Sequence, residues 1–104
     1  MASDRGYLDF ILEQLSDLDG VTWRAMMGEY ILYYRGKIIG GIYDDRFLVK
    51  KTKSSEAMMP DAERDIPYDG AKEMILVGAV EDRTFLTELV EAMYEDLPAP
   101  KSRK

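Results

Sequence analysis

A chain of 104 residues with 46% apolar and 33% charged side chains can fill one core and hydrate one surface, which excludes a disordered chain. Its longest apolar runs, such as residues 74–80, are far too short to cross a bilayer, and the polar, acidic start has no secretory pattern, so the cytoplasm is the expected compartment. There is no cysteine and no histidine, which excludes disulfides, thiolate nucleophiles and the commonest general base and metal ligand, while a net charge of −6 disfavours a uniform nucleic-acid-binding surface.

Residues 4–18 carry Tyr7, Leu8, Ile11, Leu12, Leu15 and Leu18 at helical spacing, with Ser3 or Asp4 as the cap and Asp19–Gly20 as the stop. The period then changes to two. Val21, Trp23, Ala25 and Met27 alternate with Thr22, Arg24 and Met26, which predicts a strand, and Gly28–Glu29 follows as a two-residue turn. Further strands are predicted over residues 30–34, 38–43 and 47–51, joined by turns at Arg35–Gly36 and Asp44–Asp45. Gly40–Gly41 interrupts the third strand, as a bulge or a close approach would require, and the first or last helix is the expected neighbour.

Residues 54–64 read as a short helix capped by Ser54 or Ser55, with Met58 and Met59 inward and Pro60 ending or kinking it. Residues 65–70 read as a loop and residues 73–79 as a fifth strand. Asp82 caps a last helix whose apolar face is Phe85, Leu86, Leu89, Val90, Met93 and Leu97. The order α-β-β-β-β-α-β-α predicts an α+β domain over residues 1–97, an antiparallel meander with its helices on one face. Residues 98–104 are expected to be a disordered basic tail.

Charge is unevenly spread. Residues 21–53 hold seven basic and three acidic side chains, whereas residues 1–20 hold one against five and residues 54–97 three against twelve. The predicted meander is therefore mildly basic between acidic flanks, a pattern that composition differences between strands and helices also produce.

Around Arg24, Met26, Met27, Gly28, Glu29 and Tyr30 the chain resembles the TfoX N-terminal domain family, small bacterial domains named for a regulator of natural competence. That family's signature runs Arg, one or two residues, Met-Phe-Gly-Gly-Tyr, then strands and turns ending in Lys. Tyr34, Gly36, Asp44, Arg46, Leu48 and Lys50 continue the match, and Ile66–Pro67–Tyr68 resembles a later Pro-Phe-x-Tyr stretch. Met27 stands where Phe is usual and Glu29 where Gly is usual; a glutamate at a positive-φ position would require a different turn. The resemblance implies a helix-covered antiparallel sheet of the secretion-chaperone type and a regulatory role. It implies no catalytic residue set and no cofactor.

The residues themselves offer little chemistry. Asp44–Asp45 suits a turn tip, and Asp61, Glu63 and Asp65 lack the spacing and glycine of a calcium loop. Lys53 adjoins Ser54, but a serine there serves as a helix cap. No glycine-rich phosphate loop is present. An enzyme would need a deep pocket holding at least two of Glu29, Asp44, Asp45, Tyr30 and Tyr33 with shifted pKa values. The expected interaction surface is Arg24, Tyr30, Tyr33, Arg35, Lys37, Tyr43, Arg46 and Lys50, because tyrosine and arginine anchor protein contacts. The partner would be a protein, a second copy included. Weak nucleic-acid binding by the same basic, tyrosine-rich meander, with Lys51 added, is the alternative, and plain strand propensity also accounts for the tyrosines.

Overall fold

Three two-residue turns set the course of the chain. In the computed structural model, which describes residues 4–97, the central pairs Met27–Gly28, Arg35–Gly36 and Asp44–Asp45 all have positive φ. That is the type I′ pattern, whose twist matches the right-handed twist of paired strands. The turns join β1 (Val21–Met26), β2 (Glu29–Tyr34), β3 (Lys37–Tyr43) and β4 (Arg46–Val49). Pairing is antiparallel, with Met26 opposite Glu29, Tyr34 opposite Lys37 and Tyr43 opposite Arg46.

The first turn lies one residue earlier than its expected place at Gly28–Glu29. Gly28 is the second central residue, so the strained first position falls to Met27, at φ 53°. Met27 therefore leaves the strand face it was expected to share with Val21 and stands 94% exposed. Glu29 lies in β2, outside the turn, so the departure from glycine there brings no positive φ.

α1 (Arg5–Gln14) is shorter than residues 4–18, and Asp4 stands at its N-cap without a side-chain cap bond. α2 (Lys53–Met58) is capped by Thr52, which accepts from the Ser55 backbone while the Ser55 side chain returns the bond. It stops well before residue 64, because Pro60 cannot continue the helical ladder. The released chain forms a strand absent from the sequence reading, β5 (Arg64–Asp65), which pairs with β6 (Met74–Leu76). β6 falls within the expected span of residues 73–79. α3 (Arg83–Asp96) begins at Asp82, whose Oδ1 accepts from the Phe85 N–H at 3.0 Å. The expected α+β order thus holds with one short strand added, in a six-stranded sheet of order β1-β2-β3-β4-β6-β5. The expected tail, residues 98–104, lies outside the described residues.

The core forms where α1 and α3 cover one face of this sheet. Leu8, Ile11 and Leu15 of the first helical segment and Leu86, Leu89 and Met93 of α3 are fully buried against Leu32, Ile39, Ile42, Phe47 and Ile75. Leu12 packs at its margin. Gln14, the buried amide beside this core, donates to the Val80 carbonyl at 3.0 Å, so its polar end is satisfied. No helix among the described residues is long and apolar enough to cross a membrane.

β3 carries a bulge. The β2–β3 register shifts between Leu32 and Tyr33, so Ile39 and Gly40 together occupy one step of the ladder. The neighbour that forbids a side chain at Gly40 is not a helix but β4. A Cβ there would lie 2.1 Å from the Leu48 carbonyl oxygen and 2.7 Å from the Val49 Cα. At Gly41 a Cβ would meet the Tyr30 carbonyl and the Tyr43 ring. Gly78 offers the contrast, with nothing within 4 Å. Gly40→Ala is expected to lower the unfolding free energy by about 3 kcal/mol, because backbone cannot step aside. Gly78→Ala is expected to be neutral or stabilising by up to about 1 kcal/mol. Urea unfolding of the two variants checks both.

Candidate functional site

Period-two alternation divides the sheet into two unlike faces. Tyr30, Leu32 and Tyr34 of β2 point to the helices and join the main core. Glu29, Ile31 and Tyr33 point away from it. Opposite them on that outer face are Arg24 and Met26 of β1 and Ile38 and Tyr43 of β3. The outer face has its own small apolar cluster, Tyr43, Leu48 and Met74 with Leu76 against them.

The segment between β5 and β6 arches over this second cluster. Tyr68 brings its ring to 6.2 Å from that of Tyr43. Between this arch and the open part of the sheet lies a groove of about 970 Å³. Its apolar lining comes from Met26, Ile31, Ile38, Tyr43 and Met74, with Pro67 and Tyr68 from the arch. Four lysines, Lys50, Lys51, Lys53 and Lys72, also line it, together with the carboxylates of Glu73 and Asp96.

The electrostatics of the groove follow from its contacts. Lys51 pairs with Glu73 at 3.1 Å. Asp96 accepts from the Ser54 N–H at 2.7 Å; this bond, with the Ser54 hydroxyl and nearby Lys53, holds its carboxyl below the usual range. Burial raises the Tyr43 hydroxyl above its ordinary value of 10.0, helped by the neighbouring Tyr68, Glu29 and Tyr33. A tyrosine held in its neutral form is a hydrogen-bonding group on an otherwise apolar floor.

The residues expected to form one interaction surface are divided among several places. Arg24, Tyr33, Tyr43 and Lys50 share the outer face, but of these only Tyr43 and Lys50 line the groove, where Met26 joins them. Tyr30 lies on the helix side, where its ring meets Trp23 edge-on at 5.5 Å. Arg35 occupies a turn, with its Nε on the Asp19 carbonyl at 3.3 Å. Lys37 is a structural clasp: its Nζ donates to the Tyr94 carbonyl at 2.8 Å and the Leu97 carbonyl at 3.0 Å, 3.9 Å from the centre of the Tyr94 ring. A cation is favoured there by the negative end of the helix dipole. Arg46 pairs with Asp65 and donates to the Tyr43 carbonyl. Met27 and Gly28 form the exposed tip of the first hairpin, and Glu29 accepts the Asp44 N–H at 3.1 Å.

The hypothetical acid–base set is also dispersed. None of Glu29, Asp44, Asp45, Tyr30 and Tyr33 lines the groove. Asp45 instead accepts the Asp4 N–H at 2.7 Å, tying the start of α1 to a hairpin tip. No cluster of three metal-ligating side chains occurs among the described residues. Among the groove residues that sequence reading did not place on the interaction surface are Ile31, Ile38, Tyr68, Met74, Lys53 and Lys72. The run Tyr30–Tyr34 signalled a strand by its propensity, but not which of its residues would face the groove. Nothing in the sequence signalled that the arch would fold back.

A helix-backed antiparallel sheet with a second, partly open apolar face defines a small α+β domain. The chain belongs to the TfoX N-terminal domain family, whose model matches residues 13–96. It is also 34% identical over 105 aligned residues to an uncharacterized 12.7 kDa protein from the trpE 5′ region of Spirochaeta aurantia, across all of this chain and 91% of that protein. No solved structure matches it.

Two tests follow from this geometry. Lys37→Met is expected to cost about 2 kcal/mol, since it removes a charged donor from two carbonyls. It should also speed amide exchange in the last turn of α3. The second test is alkaline. Tyr43 keeps its proton to higher pH when folded than when unfolded, so its contribution to stability is complete below about pH 10 and is lost as pH rises through the folded-state pKa. Urea midpoints at about pH 9 and about pH 11 should fall less for Tyr43→Phe than for the wild type, with Tyr7, also raised by burial, supplying part of the remaining loss.

Proposed function

We propose that this domain is a non-enzymatic regulatory module that works by binding another protein through the outer face of its sheet. The observation that carries the reading is the groove, with its floor of Met26, Ile31, Ile38, Tyr43 and Met74 on the face opposite the helices. Ile38 is 37% and Tyr68 54% exposed, so apolar surface borders the groove. Aromatic and aliphatic side chains in a concave, partly desolvated site are the usual anchors of protein contacts. Membership of a family named for a competence regulator supports a role in regulation.

Nucleic-acid binding draws less support. Of its six basic residues, Lys37 is occupied at the end of α3, and Arg46 and Lys51 are in ion pairs. Arg24 and Arg35 lie at separate positions on the sheet and on a turn, so no continuous basic track joins them to Lys50.

A photo-crosslinking residue placed at Ile31 in the native cell is expected to capture a protein that the same residue at Glu91, on the exposed side of α3, does not. The captured protein should bind again from purified components. Absence of any Ile31-specific adduct, with the purified chain monomeric at every concentration in sedimentation, would overturn the proposal.

A further inference from the structure

The groove is electrically unlike the rest of the molecule. The chain carries −6 overall, yet the ionisable lining of the groove is four lysines against Glu73 and Asp96. Glu73 is engaged by Lys51, and Asp96 is turned to the start of α2. Among the described residues neither Lys50 nor Lys72 makes an ion pair. Two uncompensated ammonium groups thus flank an apolar floor. A cleft lined by one sign of charge over low-dielectric walls concentrates ligands of the opposite sign.

From this pairing of charge and apolar surface we propose that the occupant is an acidic segment of the partner protein, carrying at least one bulky apolar side chain. This rests on the protein-binding reading above and names the chemistry of the partner. The apolar anchor covers Ile38 and Tyr68, and carboxylates on either side of it meet Lys50 and Lys72. A polyanionic nucleic acid would satisfy the lysines but leave the aliphatic floor of Met26, Ile31 and Ile38 without an apolar partner.

Panning a phage-displayed library of random peptides on the immobilised protein tests the proposal. Enriched sequences should combine Asp or Glu with Leu, Phe or Trp. A synthetic peptide of the consensus, followed by fluorescence anisotropy, should lose at least about tenfold in affinity with the double change Lys50→Glu and Lys72→Glu, or with Ile38→Asp. It should bind Arg5→Glu, altered on the helix face, as it binds the wild type. Amide shifts on binding should centre on Met26, Ile31 and Ile38. Lys72→Glu alone, on an exposed side chain, keeps the charge test valid if the double variant unfolds.

No enrichment, a neutral or basic consensus, an affinity indifferent to the lysine changes, displacement by polyuridylate, or self-association abolished by the same changes would each overturn the proposal. The Ile31 crosslink separates this from the broader reading. A protein adduct that persists in Lys50→Glu and Lys72→Glu sinks the acidic segment and leaves protein binding standing, whereas absence of any Ile31-specific adduct in the wild type, with the chain monomeric at every concentration, sinks protein binding itself.

Discussion

The approach of β3 to β4 at Gly40 is the constraint on which the sheet depends. With no side chain there, the Leu48 carbonyl occupies the space that a Cβ would take. The bulge lets Ile39 enter the helix-side core and still returns Ile42 to it, while Tyr43 goes to the outer side. Had the register run on without the extra residue, every side chain beyond it would have changed faces. The division into a helix-covered face and a groove-bearing face follows from one glycine's tolerance of a close neighbour.

That division explains why one short chain can hold a packed core and still present apolar surface. α1 and α3 use their stripes on Leu32, Ile39, Phe47 and Ile75. None of their length remains to cover Ile31 and Ile38. The arch carrying Pro67 and Tyr68 covers only the end of the outer face nearest Leu48 and Met74. The lysines at the end of β4 and the start of α2 are brought beside the gap because the strand must stop there to give Thr52 its capping geometry.

Elements with strong periodicity were legible in the sequence, as the stripes of α1 and α3 and the three hairpins demonstrate. Elements decided by local competition were not. The first turn shifted by one residue because a type I′ pair accepts glycine at its second position, and the Met27 side chain that looked inward belongs to the tip. The helix over residues 54–64 lost its second half to Pro60, and the freed segment paired as β5, a two-residue strand too short for any pattern to reveal. The basic residues were readable as a composition but not as a site. Whether a lysine caps a helix, as Lys37 does, or faces a groove, as Lys50 does, depends on contacts between residues nearly sixty apart in the chain.

The exposed methionine at the first hairpin tip has a practical consequence. Its thioether touches no core residue, whereas that of Met93 is fully buried. Mild peroxide will convert the Met27 sulfur to the sulfoxide long before it reaches the interior, and the fold loses no packing when it does. The residue is thus a native footprint: its rate of oxidation reports whether anything rests on the end of the sheet where β1 turns into β2.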